Sequence, residues 1–129
     1  MPPKQSATLT EAELRIMEVL WVKGSCTVLQ VQDWLTTVLA YNSVLTTIRT
    51  LEKKGLVKHV KDGRAHVYQP LIGREDATRS EVRHLVARFF RDSHKALILN
   101  ILQDDAIDNA DLRRLREMLE RSDGEGNGK

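Results

Sequence analysis

The sequence predicts a mainly α-helical protein with one small β-hairpin. Apolar residues recur at helical spacing in three segments before Gly55. Two β-compatible stretches then flank Asp62-Gly63, a pattern typical of a hairpin. Three helices followed by a hairpin is the order of a winged helix-turn-helix, which we expect in residues 1–73. A later amphipathic pattern predicts a helical arm over residues 74–121, and the Gly-rich, charged residues 122–129 predict a disordered tail.

The first two helices are predicted from capping boxes. Thr10 and Glu13 have the spacing of an N-cap and the acidic residue that reaches back to it. The apolar face of this helix is expected to comprise Leu14, Met17, Leu20 and Trp21. Thr27 and Gln30 repeat the pattern ahead of a second helix, whose expected apolar positions are Val28, Val31, Leu35 and Val38.

The third helix, in residues 41–55, has two very different faces. Val44, Ile48 and Leu51 form an apolar stripe. The opposite face carries hydroxyl, amide and cationic side chains: Asn42, Ser43, Thr46, Thr47, Arg49, Thr50 and Lys53. Such a face suits the base edges and phosphates of a DNA major groove. We expect the first four to read bases and the last three to divide between bases and phosphates.

The hairpin carries a second prediction about DNA. If Asp62-Gly63 is a two-residue turn, Lys61 faces Arg64 and His59 faces His66 across the strands. Like charges placed opposite each other are destabilising, and a phosphate backbone would accept them. Lys61, Arg64 and His66 are therefore predicted backbone contacts. The alternative is a longer turn that separates Lys61 from Arg64 in water.

Three strings resemble the penicillinase-repressor family of the BlaI/MecI/CopY type. They are LTEAEL at 9–14, VLTTIRTLEKKGLV at 44–57 and DGRAHVYQP at 62–70. The resemblance implies a dimeric bacterial repressor with an N-terminal winged helix and a C-terminal dimerisation arm. It also implies binding to palindromic operators in double-stranded DNA that control a resistance, stress-response or metal-homeostasis operon. The family often has a longer cation where Asn42 and Leu45 stand here, which implies a different half-site.

The arm predicts a homodimer because it offers more apolar surface than one copy can hide. Its helices carry apolar faces, and residues 96–102 are apolar nearly all round. The predicted dimer contacts are Val82, Leu85, Val86, Phe89, Phe90, Ile98, Leu102, Leu112, Leu115 and Leu119. The alternative is an arm that folds back on its own N-terminal part.

Asn100-Ile101 lies within the apolar segment of the arm. In antibiotic-responsive members that the chain resembles, a bond between Asn and a bulky apolar residue is cut during induction, which implies a membrane sensor protease as partner. The usual apolar residue there is Phe, and this chain has Ile. The alternative is that Asn100 sets the register of the dimer core.

Charge is mildly biased along the chain. Residues 1–73 carry nine Lys and Arg against six Asp and Glu, a net of +3, while residues 74–129 carry eleven against twelve, a net of −1. The positive excess lies in the part of the chain that contains the third helix, which is predicted to contact DNA. Because the excess is mild, we expect directed contacts and dimerisation to contribute to DNA affinity alongside bulk charge.

Other classes are disfavoured by what the sequence contains. No apolar run approaches the roughly 20 residues of a spanning helix, so we expect a cytoplasmic location without membrane insertion. The single cysteine, Cys26, excludes an intrachain disulfide and is interpreted as a small packed or partly exposed thiol. No nucleophile motif, phosphate loop or metal-ligand spacing is present, so we expect no enzyme activity, cofactor or metal site. The alternative function is a winged helix that binds a protein partner.

Overall fold

The computed structural model describes residues 8–126, with side chains as far as Arg121. Its elements follow one another along the chain as α1 (Glu11–Lys23), α2 (Val28–Trp34), α3 (Tyr41–Lys53), β1 (Val57–Asp62), β2 (Ala65–Pro70), α4 (Arg74–Phe89), α5 (His94–Leu102) and α6 (Asn109–Gly126). This order confirms the predicted winged helix and the helices that follow it. The chain divides into two compact units, Met1–Leu85 and Val86–Lys129.

Both predicted capping boxes are confirmed. The backbone N–H of Glu13 donates to the Thr10 hydroxyl at 3.1 Å, and the backbone N–H of Thr10 donates to the Glu13 carboxylate at 2.9 Å. Thr27 and Gln30 make the same reciprocal pair at 3.2 and 2.9 Å. Each cap contributes about 0.5–2 kcal/mol, so the starts of α1 and α2 are fixed by local sequence.

The core of the first unit joins the three helices to the hairpin. Its fully buried side chains include Ile16, Leu20, Val31, Ile48 and Tyr68. The predicted face of α1 is shifted by part of a turn, because Ile16 is fully buried while Leu14 and Trp21 are only partly buried. Trp21 lies at the edge of the core, where its indole N–H donates to the backbone oxygen of Ile72 at 2.8 Å.

The prediction that Val38 belongs to the apolar face of the second helix is wrong. α2 ends at Trp34, Leu35 is extended at its C-cap, and Val38 is 96% exposed in the following loop. Leu35 and Leu39 supply the apolar contacts instead. The amide of Gln32 donates to the backbone oxygen of Leu39 at 2.9 Å, which holds the loop against α2.

The hairpin register differs from the predicted one. β1 and β2 are antiparallel, with Asp62 opposite Ala65, Lys61 opposite His66 and His59 opposite Tyr68. The turn is therefore Gly63-Arg64, and the predicted opposition of Lys61 and Arg64 does not occur. Gly63 has a φ of 65° whereas Arg64 does not have a positive φ, as in a type II′ turn with Gly at its first central position.

β2 is also paired with the segment between the first two helices. The backbone N–H of Cys26 donates to the Tyr68 oxygen at 3.0 Å, and the backbone N–H of Tyr68 donates to the Cys26 oxygen at 2.7 Å. These two bonds anchor the base of the hairpin next to α2. The hairpin tip projects beyond them.

The division between units falls inside α4, whereas the sequence predicts a boundary between residues 73 and 74. The first half of α4 is tied to the start of α1, because the backbone N–H of Leu9 donates to the Glu81 carboxylate at 2.7 Å. Ala77 is buried on the same half of the helix. These contacts place residues up to Leu85 in the first unit.

The second unit holds the end of α4 together with α5 and α6. The Ser93 hydroxyl accepts from the backbone N–H of Ala96 at 3.0 Å and caps α5. The Asp108 carboxylate accepts from the backbone N–H of Asp111 at 2.8 Å beside the start of α6. Among the described helices, none combines the length and hydropathy needed to cross a membrane.

The backbone is described for residues 122–126 of the predicted disordered tail, and its disorder stays a prediction. α6 continues to Gly126, and residues 127–129 lie outside the described part. Extending an existing helix adds one hydrogen bond for each residue fixed, which is far less costly than nucleating one. The backbone can therefore continue past Arg121 despite Gly124.

Candidate nucleic-acid interface

The two faces of α3 have the predicted burial. Val44, Ile48 and Leu51 are fully buried and fix the rotation of the helix on the core. Five of the seven predicted polar contacts are exposed, namely Asn42, Ser43, Thr46, Arg49 and Lys53. Thr47 and Thr50 are partly buried at the margins. Burial of the apolar stripe thus leaves the polar face in solvent.

Two threonines on this face bond to their own helix. The Thr47 hydroxyl donates to the backbone oxygen of Ser43 at 2.8 Å, and the Thr50 hydroxyl donates to that of Thr46 at 3.1 Å. This is the i−4 bonding that Thr can make within helices. Each hydroxyl oxygen can still accept a bond, but its proton is already used. Thr47 and Thr50 therefore present acceptors and methyl groups.

The start of α3 differs from the starts of α1 and α2. Its N-cap is Ala40, and no side chain caps it. The backbone N–H groups of Ser43 and Val44 both donate to Ala40, at 3.0 and 3.1 Å. A helix N-terminus without a side-chain cap presents N–H groups and a partial positive charge to an external acceptor. A phosphate oxygen is an acceptor of that kind.

The hairpin, α3 and the start of α2 line an open cavity of about 310 Å³. Arg49 lines it from α3, and Arg64 and His66 line it from the hairpin. The structure therefore brings together three predicted contacts that lie on separate elements. Tyr41 and Leu45 also line this cavity, although neither is a contact predicted from the sequence. Tyr41, Leu45 and Arg49 follow one another at intervals of four residues, which places all three on one helical stripe.

Lys61, Arg64 and His66 are all exposed, as the predicted backbone contacts require. Lys61 lies directly opposite His66 across the hairpin. Side chains of directly opposed residues project from the same face of a sheet. Lys61 and His66 therefore share the hairpin face that carries Tyr68 nearer the core.

Glu52 and His59 join α3 to the hairpin, although neither is a contact predicted from the sequence. Nδ1 of His59 donates to Oε2 of Glu52 at 2.6 Å. The His59 ring stacks on His66, with centroids 4.5 Å apart and an interplanar angle of 16°. The two histidines are diagonal neighbours, since His59 lies opposite Tyr68. The Glu52 carboxylate, near the C-terminal end of α3, is therefore in contact with β1 of the hairpin.

Two buried groups beneath the interface have raised pKa values. Burial raises the pKa of Tyr68, the charge of Glu52 raises it further, and Arg49 opposes both effects. Burial also raises the pKa of the Cys26 thiol, against the charge of Lys23. A buried thiol with a raised pKa stays protonated and unreactive near neutral pH. Cys26 is therefore a packed thiol at the base of the hairpin.

The predicted dimer contacts differ in accessibility. Val86 is 1% exposed within a single chain, so its side chain is not available to a partner. Phe90 and Leu112 are partly buried, whereas the remaining seven are exposed: Val82, Leu85, Phe89, Ile98, Leu102, Leu115 and Leu119. Val82 and Leu85 belong to the first unit and the others to the second. No residue of α5 is buried, and Asn100 and Ile101 are both exposed in the last turn of that helix.

Comparisons with known proteins agree with this architecture. The family model for the penicillinase repressor matches residues 9–121. A penicillinase repressor of Bacillus licheniformis is 29% identical over 119 residues, covering 91% of this chain and 93% of the relative. The transcriptional regulator BlaI of Mycobacterium tuberculosis is 32% identical over 123 residues, covering 92% of this chain and 88% of the relative. The solution structure of the DNA-binding domain of the repressor BlaI covers 59% of this chain and 93% of its own length, with 32% identity and a TM-score of 0.51. The chain belongs to the penicillinase repressor family.

Proposed function

We propose that this chain is a transcriptional repressor that binds a palindromic operator in double-stranded DNA as a homodimer. The observation that carries the proposal is the exposed polar face of α3, which lies beside the cations of the hairpin tip. The printed descriptions of its relatives, a penicillinase repressor and the DNA-binding domain of a repressor, support the same function.

α3 would enter the major groove with its N-terminal half against the bases. Asn42, Ser43 and Thr46 are exposed and carry groups that can pair with base edges. Thr47 would contribute a methyl group and an acceptor, because its proton is donated to Ser43. The start of α3, which no side chain caps, would meet a phosphate.

The remaining contacts would hold the DNA backbone. Lys61, Arg64 and His66 would bind phosphates from the wing, and Arg49, Thr50 and Lys53 would divide between bases and phosphates. Contacts of this kind set the register of the protein on the duplex but carry little sequence information. Sequence preference would therefore depend mainly on the first two turns of α3.

The homodimer would form through the exposed apolar side chains of the arm. Seven of the ten predicted contacts are exposed in one chain, including Phe89 at 64% and Leu119 at 61%. Exposed large apolar residues grouped on these helices favour burial against a second copy of the chain. Two-fold symmetry would present two α3 helices to a palindromic site, with half-sites spaced by whole helical turns of about 34–36 Å.

Induction by proteolysis between Asn100 and Ile101 forms part of the proposal. Both residues are exposed, and the cut would detach α6 from the rest of the arm. Because the bond lies inside a helix, α5 would have to open locally before a membrane sensor protease could bind it. Coexpression with such a protease should yield a fragment ending at Asn100, and an intact chain during full induction would reject this route. The Ile101→Asp variant is the control, since it removes the bulky apolar residue at the cut.

Selection from a random duplex library tests the main proposal. The full chain should enrich an inverted repeat, and affinity for that repeat should fall steeply with added salt, by a slope of about −0.9 for each phosphate neutralised. Sedimentation in the same buffer should give a dimer. Failure to enrich any duplex, or binding without salt dependence, would favour the alternative of a winged helix that contacts a protein. We propose that the target operon serves resistance or stress response. The transcripts that rise when the gene is deleted would identify it.

A further inference from the structure

The stacked histidines at the hairpin form a titratable pair beside the proposed DNA contact. Their ring centroids lie 4.5 Å apart, and His59 is held to α3 by its 2.6 Å bond to Glu52. His66 is exposed and lines the cavity shared with Arg49 and Arg64. Histidine is the side chain that ordinarily changes charge between about pH 5 and 8.

The groups around the pair are mostly cationic. Lys61 lies opposite His66 from β1, Arg64 lies in the turn, and Arg49 lines the same cavity from α3. The carboxylate in contact with the pair is Glu52, which bonds to His59 and not to His66. Two phenols also lie near the pair, those of Tyr68 in β2 and Tyr41 in α3. Asp62 lies opposite Ala65 and so projects from the other face of the hairpin.

The two rings differ in the charged groups that surround them. Two imidazolium rings stacked at 4.5 Å repel each other, and Lys61, Arg64 and Arg49 add like charge. Glu52 forms an ion pair with the His59 ring when that ring carries a proton. A proton on His66 lacks that support until an anion approaches. A DNA phosphate at the wing would supply the anion.

We propose that DNA binding is coupled to proton uptake at the His59–His66 pair, so that affinity falls as pH rises from about 6 to about 8. This inference rests on the proposed function. The bound state holds more protons than the free state, because the phosphate favours the imidazolium form of His66. Each proton taken up changes the association constant by up to about tenfold per pH unit. A homodimer has one such pair at each half-site.

Glu52 acts as a positioning residue in this arrangement. It lies in α3, while the ring that it holds lies in β1. Its bond fixes the His59 ring, and the stack in turn fixes the His66 ring at the cavity shared with Arg49. A change of charge on the His59–His66 pair would therefore affect the contact between α3 and the hairpin.

The experiment measures binding of the full chain to its selected duplex at pH 6 and pH 8 and constant ionic strength. Wild type should bind about 3- to 30-fold more tightly at pH 6, within the limit of one proton per half-site. The His66→Gln variant should lose most of this difference. The His94→Gln variant is the matched control, because it removes an exposed histidine of α5 and should keep the wild-type pH dependence.

A second measurement does not depend on any variant. Nuclear magnetic resonance of wild type follows the His66 ring through its titration, and its midpoint should rise by at least about half a pH unit when the duplex is bound. Equal affinity at both pH values, an unshifted midpoint, or a His66→Gln variant with the wild-type slope would overturn the coupling while leaving the proposed repressor intact. Absence of duplex binding at both pH values would overturn the proposed function and the coupling with it.

Discussion

Glu13 and Lys54 join the first helix to the end of the third through an ion pair of 2.7 Å. Glu13 is 4% exposed, and its carboxylate also accepts from the backbone N–H of Thr10. Lys54 donates in addition to the backbone oxygen of Thr8 at 2.8 Å. One carboxylate therefore caps α1 and holds the C-terminal end of α3, the helix proposed to read DNA.

Removal of this lysine should destabilise the first unit. In Lys54→Ala the Glu13 carboxylate loses its cation while still buried, which should lower the free energy of unfolding by about 1–3 kcal/mol. Urea denaturation measures the loss. The matched control is Arg15→Ala, which breaks an exposed pair with Glu11 of 3.7 Å and should cost less than about 1 kcal/mol. Equal losses in the two variants would show that the buried pair contributes no more than the surface pair.

The hairpin turn offers a second test of stability. Gly63 has a φ of 65°, a conformation that costs other residues about 1–2 kcal/mol. Gly63→Ala should lower the free energy of unfolding by about that amount, although an added methyl group would have open space there. Gly73→Ala is the control, since Gly73 also has open space but no positive φ. A Gly63→Ala protein as stable as Gly73→Ala would contradict the assignment of a type II′ turn.

Local patterns predicted the parts of this fold that local contacts determine. The capping boxes at Thr10 and Thr27 could be predicted because the bonding partners are three residues apart. The buried role of Glu13 could not, because Lys54 lies 41 residues away in sequence. The position of the hairpin was predicted, but its register was not. The register depends on which two residues form the turn, and local sequence permits both Asp62-Gly63 and Gly63-Arg64.

The candidate site shows the same division. The polar face of α3 could be predicted because Val44 and its neighbours on the stripe fix the rotation of the helix. The bond between Glu52 and His59 could not, since it depends on how the hairpin packs against α3. Leu45 and Tyr41 were also missed, because the cavity that they line exists only after α3 and the wing are assembled.

Base contacts and backbone contacts should separate under substitution. Thr46→Ala removes a hydroxyl from the exposed face of α3 and should change sequence preference, with a cost of about 1–3 kcal/mol at the affected position. Arg64→Ala should weaken binding to all duplexes by a similar factor and reduce the salt slope by about 1. Binding of each variant to a panel of single-base operator mutants, at several salt concentrations, measures both effects.

The control for these substitutions is Arg79→Ala, which removes an exposed cation of α4 that pairs with Asp76. It should leave sequence preference and salt slope unchanged. The assignment of the interface would be wrong if Thr46→Ala and Arg64→Ala both bound the operator as wild type does. A change of preference in Arg64→Ala would instead place that residue against a base.

Dimerisation should depend on the exposed leucine of α6. Leu119 is 61% exposed in one chain, and a two-fold interface presents any substitution twice. Burial of a leucine contributes about 1.5 kcal/mol or more, so Leu119→Asp should weaken the dimer by about 3 kcal/mol, at least 100-fold. Val22→Asp is the control, because Val22 is 70% exposed in the first unit and is not a predicted dimer contact.

Sedimentation equilibrium should give a monomer at micromolar concentration for Leu119→Asp alone. That monomer should bind a single half-site as wild type does but lose the extra affinity for the full palindrome, because the two α3 helices would no longer be linked. A Leu119→Asp chain that remains dimeric would place the interface elsewhere.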